Sequence, residues 1–184
     1  MGGKRGYYLP QPLFGFGNYV IDLMFFRKGE STVNEQTTLS SSNFIIRSAV
    51  ADDVDTLRDV FRRASLTIEG DRDLIATHPE WLVWDDAMLP FVRVAVVAGR
   101  VVGFASVHPV DDFLELEDLF TDPDWMRQGI ARVLIEDIAR RGVRVEVTAN
   151  LQAIGFYESV GFVARGVVNT QGGSVPRMYL DTTR

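Results

Sequence analysis

Two hydrophobic periods alternate along the chain from residue 44 onward. FIIR (44–47) reads as a short strand. After the turn-like AVADD, Val54, Leu57, Phe61 and Ala64 recur at three- and four-residue spacing and mark one face of a helix, with Asp52 or Asp53 placed to cap it. SLTIEGDRDLIATHPEW (65–81) predicts a loop and a second short helix that breaks before Pro79, because the residue ahead of a proline avoids helical geometry. FVRVAVVAGRVVGFASVHP (91–109) predicts two strands about a tight turn at Ala98, Gly99 and Arg100. FLELEDLFT (113–121) alternates apolar and acidic residues, a strand with one wet face. Ile130, Val133, Leu134 and Ile138 mark a helix over about 127–141, which Gly142 can end with a left-handed cap. VRVEVTA (143–149) is the next strand, followed by a helix over about 151–159 that Gly161 stops. FVARGVV (162–168) and SVPRMYLD (174–181) then form a closing hairpin. The order is that of an α/β domain: a mixed sheet with antiparallel hairpins, flanking helices and at least one strand–helix–strand crossover.

Residues 1–43 follow neither period. They hold both lysines of the chain and end in the polar, linker-like stretch ESTVNEQTTLSSSN. They read as a poorly ordered extension, with the domain proper at 44–184; the sharper alternative is an apolar arm packing on a partner or on the domain's own sheet. The apolar run LFGFGNYVIDLMFF (13–26) is interrupted by Asn18 and Asp22, too short and too polar for a span or a signal peptide.

Composition narrows the chemistry. The chain has 184 residues, a formal charge of −6 and a pI near 4.9, which argues against nucleic acid as a partner. With no cysteine, thiolate metal sites, disulfides and Cys nucleophiles are excluded, and the chain fits a cytoplasmic protein with no membrane partner. His78 and His108 show no ligand spacing, so no metal is expected, and there is no GxSxG elbow for a hydrolase.

Two stretches remain. In DPDWMRQGIA (122–131) a strand enters, Pro123 ends it, and Gly129 removes a Cβ where the chain turns into a helix. The amides of a first helical turn lack internal partners and carry the positive end of the helix dipole, so an anion can sit there; the plain alternative is a strand–helix turn that binds nothing. In NLQAIGFYESVGF (150–162), Asn150 can cap the helix or bond a ligand amide, and Tyr157 is either a phenolic acid or a packing residue.

Taken together, the two stretches resemble the GCN5-related N-acetyltransferase (GNAT) superfamily. The first is similar to its pyrophosphate motif, R/Q-x-x-G-x-G/A, although the leading position falls on Met126. The second is similar to N-x-x-A-x-x-F/L-Y-x-x-x-G-F, matched by Asn150, Ala153, Phe156, Tyr157, Gly161 and Phe162. The resemblance covers about residues 44–184. It implies the acyl-CoA N-acyltransferase fold, a mixed and mostly antiparallel central sheet splayed in the middle, and acetyl-CoA as cosubstrate. Pyrophosphate would be held by backbone amides from Arg127 through Gln128, Gly129 and Ile130 to Ala131. Pantetheine would lie along the splay beside Leu119, Phe120 and Thr121, beyond a bulge in that strand, with the Leu119 amide toward the thioester carbonyl.

The resemblance also implies roles for side chains. Glu115, four residues before Leu119, would act as base, with Glu117 on the same face as runner-up, and Tyr157 would protonate the leaving thiolate. The acceptor would be an amine of a small molecule or peptide. Its cleft would be shaped by residues 65–86, which carry Glu69, Asp71, Asp73, Asp85, Asp86, Trp81 and Trp84, and by NTQGGSVPRM of the closing hairpin. A homodimer is left open. The alternative from another class is a non-catalytic CoA- or acyl-CoA-binding sensor, for which Met126 speaks.

Overall fold

Ala98 and Gly99 both take left-handed backbone angles, φ 47° and 81°, the pair that closes a two-residue hairpin with the twist of its strands. Strand β2 (Val92–Val97) therefore returns directly as β3 (Arg100–Val110), and a second tight turn with Asp111 at φ 47° sends the chain into β4 (Phe113–Thr121). The computed structural model describes residues 44–67, 75–170 and 173–182. The proposed extension over 1–43, and with it the start of the domain, lies outside them.

Strand β1 (Ile45–Ser48) leads into helix α1 (Val54–Ser65). Helix α2 (Ile130–Ala139) follows β4, and β5 (Val145–Thr148) follows α2. Helix α3 (Ile154–Ser159) then precedes the closing hairpin of β6 (Val163–Thr170) and β7 (Gly173–Leu180). The seven strands form one sheet in the order β1-β2-β3-β4-β5-β7-β6. Every neighbouring pair is antiparallel except β4 and β5, which α2 joins as a crossover. The expected mixed, mostly antiparallel sheet is thus present.

Strand alternation splits the core between two faces. Leu57, Val60 and Ala64 of α1 pack with Val94, Phe104 and Phe120 on one side. Ile130, Leu134, Ile135 and Ile138 of α2, with Tyr157 of α3, pack with Ala105, Leu116, Leu119 and Val147 on the other. Of the residues their spacing marked, Leu57, Ala64, Ile130, Leu134 and Ile138 are buried, while Val54, Phe61 and Val133 are half-buried at the edges of those faces.

Several boundaries differ from expectation, each for a local reason. The α2 helix begins at Ile130 rather than 127, because Arg127 and Gly129 are left-handed, φ 62° and 83°. It stops at Ala139, and Gly142, at φ 69°, donates to the Ala139 carbonyl as the expected cap (3.0 Å). The helix expected over 151–159 opens as a 3-10 turn, Leu151–Ala153. Asp53 does not cap α1; its carboxylate reaches back to the Val50 amide (2.8 Å) and pairs with Arg47 (2.6 Å). Of the second short helix, a helical turn at 75–77 is described, followed by 3-10 turns Pro79–Leu82 and Asp86–Phe91. No helix among the described residues is long and apolar enough to cross a membrane.

Candidate active site

Strands β4 and β5 pair only at Leu114 with Val145 and at Glu115 with Glu146. Beyond Glu115 they part. On its other edge, β4 pairs Asp118 with Ser106 but Leu116 with Val107, so Glu117 is one residue too many for β3. Such a bulge bends and twists the strand that carries it, and here it lies just past the last β4–β5 pair. The splay and the bulge expected of this strand are both present. The Asp122 amide donates to the Val102 carbonyl on β3 (2.9 Å). Amides alternate in direction along a strand, so those of Leu119 and Thr121 face the gap. The side chains of Leu119, Phe120 and Thr121 are buried, which leaves their backbone as the surface a ligand would meet.

The bulge crowds acids. Burial pushes the Glu117 carboxyl up to about 7, helped by Asp118 and Glu115 and opposed by Arg177. Asp118 is also pushed up by burial, against hydrogen bonds from Ser106 Oγ (2.5 Å) and Trp84 Nε1 (3.2 Å) that hold it down. Glu115 differs. Both its oxygens accept from the Arg177 guanidinium, one at 2.6 Å, so each already carries a charge-assisted hydrogen bond. Arg177 also donates to Glu146 (3.0 Å) and Thr148 Oγ1 (3.1 Å) and lies 5.6 Å from the Phe113 ring centre. Glu146, only 3% exposed, takes Arg165 and Arg144 as well.

Tyr157 stands on α3 between Phe156 and Phe162, with ring centres 5.6 and 5.1 Å away. It is 0% exposed, and its hydroxyl has no hydrogen-bond partner in the structure. Burial, then the Glu115 charge, raises its pKa well above the usual phenol value, so it stays protonated and able to donate. A buried polar atom left unpaired costs about 1–3 kcal/mol. Its position in the core beside Leu116, Leu119 and Val147 fits a ligand acceptor atom arriving through the gap. Asn150 is committed locally: its side chain accepts from the Gln152 amide (2.8 Å) and caps the 3-10 turn. Ala153 and Phe156 are core residues.

At the head of α2 the first intrahelical bond runs from Val133 N–H to the Gly129 carbonyl (3.0 Å). By helix geometry the amides of Ile130, Ala131 and Arg132 point out of the helix end. A Cβ on Gly129 would meet nothing within 4 Å, so the glycine serves the backbone turn. Met126 packs on the α1-side core, Arg127 and Gln128 are exposed, and the Ile130 and Ala131 side chains are buried. An anion here would meet amides, as Met126 implied. Asp122, 1% exposed, steadies the approach by accepting from the Asp124 amide (3.0 Å) and pairing with Arg63 (3.1 Å) and Arg100 (2.7 Å).

The described residues among those expected to shape the acceptor cleft have partners of their own. Glu69, Asp71 and Asp73 lie outside the described residues. Asp85 accepts from the Ala87 amide (2.9 Å) and Asp86 pairs with Arg58. Trp81 stacks on His78 (3.9 Å), while Trp84 is buried against Phe104. Among the described residues no group of three or more His, Cys, Asp or Glu is placed to hold a metal.

Residues 89–164 match the model of the acetyltransferase (GNAT) domain. Over these residues the chain is similar to the GNAT acetyltransferases. The curated ribosomal protein bS18 alanine N-acetyltransferase of Escherichia coli K12 is 40% identical over 72 residues, 35% of this chain and 49% of that protein. The chain thus spans about half the length of the curated relatives it matches. The solved ribosomal-protein-S18-alanine N-acetyltransferase of Escherichia coli superposes with a TM-score of 0.54 at 25% identity, over 77% of this chain and 95% of that one. The PaiA N-acetyltransferase of Thermoplasma acidophilum, solved with coenzyme A, has the same fold, with a TM-score of 0.54 at 19% identity over 75% and 98%. Two charged residues beside the gap escaped the sequence reading, Glu146 and Arg177. The available signal was Glu146 itself, an acid between two valines in a strand buried on both faces.

Proposed function

We propose that the GNAT domain transfers the acetyl group of acetyl-CoA to an amine by direct attack, and that the acceptor is an α-amino group of a peptide or a small molecule of similar basicity. The observation that carries this reading is the Tyr157 hydroxyl, fully buried, unpaired and held on α3 in the same core cluster as Leu119 of β4 and Val147 of β5. A sensor, for which Met126 speaks, would need no such donor.

The amides from Arg127 to Ala131 hold the diphosphate, and the β4 backbone at Leu119 and Thr121 lines the pantetheine. Acetyl-CoA supplies the activated acetyl group as a thioester. Glu117 takes the proton that the ammonium must lose before its nitrogen can attack. The Leu119 amide donates to the carbonyl oxygen as charge builds there, and Tyr157 gives its proton to the departing sulfur. Glu117 rather than Glu115 is the base, because the Arg177 guanidinium already donates to both Glu115 oxygens.

Basicity selects the acceptor. With Glu117 at about 7, taking a proton from an α-ammonium costs roughly 1 kcal/mol, against roughly 4–5 for a lysine side chain. The relative named for acetylating an alanine of ribosomal protein bS18 points to the same class. The test is calorimetric titration with acetyl-CoA, then free-thiol release with peptides bearing a free α-amine or an Nα-blocked lysine. Binding, with release only for free α-amines, is expected. No binding at millimolar acetyl-CoA would overturn the proposal, and preference for the blocked lysine peptide would overturn the acceptor class.

A further inference from the structure

Arg177 comes from β7, two strands away from β4, yet its guanidinium reaches across β5 to Glu115. The residues it joins are not arbitrary: Glu115 and Glu146 face each other at the last β4–β5 pair before the strands part. Four contacts fix the guanidinium there, to Glu115, Glu146, Thr148 Oγ1 and the Phe113 ring. A planar fork so held cannot follow one carboxylate and release the other without breaking several bonds.

We propose that Arg177 is a positioning residue of the acetyl-transfer site, a clamp at the apex of the gap that sequesters Glu115 and leaves Glu117 as the one strand carboxylate free to accept the substrate proton. The catalytic role of this clamp rests on the acetyltransferase reading, whereas the bonds that join Arg177 to Glu115, Glu146 and Thr148 do not depend on it. Glu117 feels Asp118 beside it and Glu115 two residues back as like charges, and Arg177 as the opposing one. Across the sheet on β3, His108 is the residue opposite Glu115 and Ser106, opposite Asp118, holds that acid by a hydrogen bond. Removing Arg177 therefore deletes the cation near Glu117 and bares the Glu115 charge. Both changes act in one direction.

The test reads Glu117 without needing turnover. Carboxyl-labelled glutamate is titrated by NMR in the full chain, with Glu117→Gln used to assign the signal. Arg177→Met is expected to raise the Glu117 midpoint by about 1 unit, the usual effect of one nearby charge. Glu115→Gln, which leaves Arg177 in place, is expected to lower it by a similar step, and the double variant should fall near wild type. Arg177→Lys keeps the charge but loses the fork and should lie between wild type and Arg177→Met. If Arg177→Met does not fold, Glu115→Gln and Arg177→Lys still decide the matter. A Glu117 midpoint unmoved by these substitutions would overturn the clamp. A moved midpoint in a protein that releases no thiol from acetyl-CoA would keep the clamp and overturn the enzymatic reading instead.

Discussion

Gly103 on β3 touches Ile130 at the head of α2: a Cβ on Gly103 would stand 2.8 Å from Ile130 Cγ2 and 2.9 Å from the Phe120 carbonyl oxygen. This close approach seats the helix end whose amides face the proposed diphosphate. The Ile130 side chain has some freedom, but the Phe120 carbonyl belongs to the β4 backbone and does not. Gly103→Ala is expected to destabilise the fold by about 1–3 kcal/mol through overpacking. It should also weaken acetyl-CoA binding, because the helix end must shift. Urea unfolding and calorimetry check the two effects separately.

Tyr157 separates stability from function in the opposite sense. Its hydroxyl is buried and unpaired, so removing it relieves a cost of about 1 kcal/mol or more. Tyr157→Phe should melt at the same temperature as wild type or higher. Its acetylation rate should fall by about 10²–10⁴-fold if the phenol protonates the leaving sulfur. A rate within about twofold of wild type would remove that role.

Glu117 makes stability depend on pH. Its carboxyl is raised to about 7 in the fold from an ordinary 4.5, so the folded chain holds this proton more tightly than the unfolded one. The stabilisation is complete below about pH 4.5 and is lost as pH rises through about 7. Glu117→Gln keeps a neutral group of the same shape. It should match wild type at pH 4 and exceed it at pH 8 by on the order of 3 kcal/mol at most. Urea midpoints at the two pH values measure the difference.

Much of this was legible in the sequence because period and punctuation are local. The alternation of FLELEDLFT, the 3–4 spacing of Ile130, Leu134 and Ile138, and Gly99 at its turn placed β4, α2 and the β2–β3 hairpin within a few residues of where they lie. The left-handed Arg127 that delays α2 was not legible, since nothing in its side chain demands that conformation. The order of the two glutamates was hidden for another reason. Period two put Glu115 and Glu117 on one face and could go no further. What separates them is an arginine 62 residues away in the chain and a bulge that pairing with β3 creates. Contacts of that range follow from the closed sheet and have no local signature.

In the proposed reaction Glu117 accepts the proton of an α-amine during acetyl transfer. The most direct test of this role is the pH dependence of kcat/KM for acetylation of an alanine-terminated peptide by wild type and Glu117→Gln. The account predicts a wild-type profile that rises through about pH 7 on top of the ionisation of the amine itself. In Glu117→Gln that step should be absent and the rate at pH 8 lower by about 10²-fold or more. A Glu117→Gln enzyme with the wild-type profile and a rate within about twofold of wild type would contradict it.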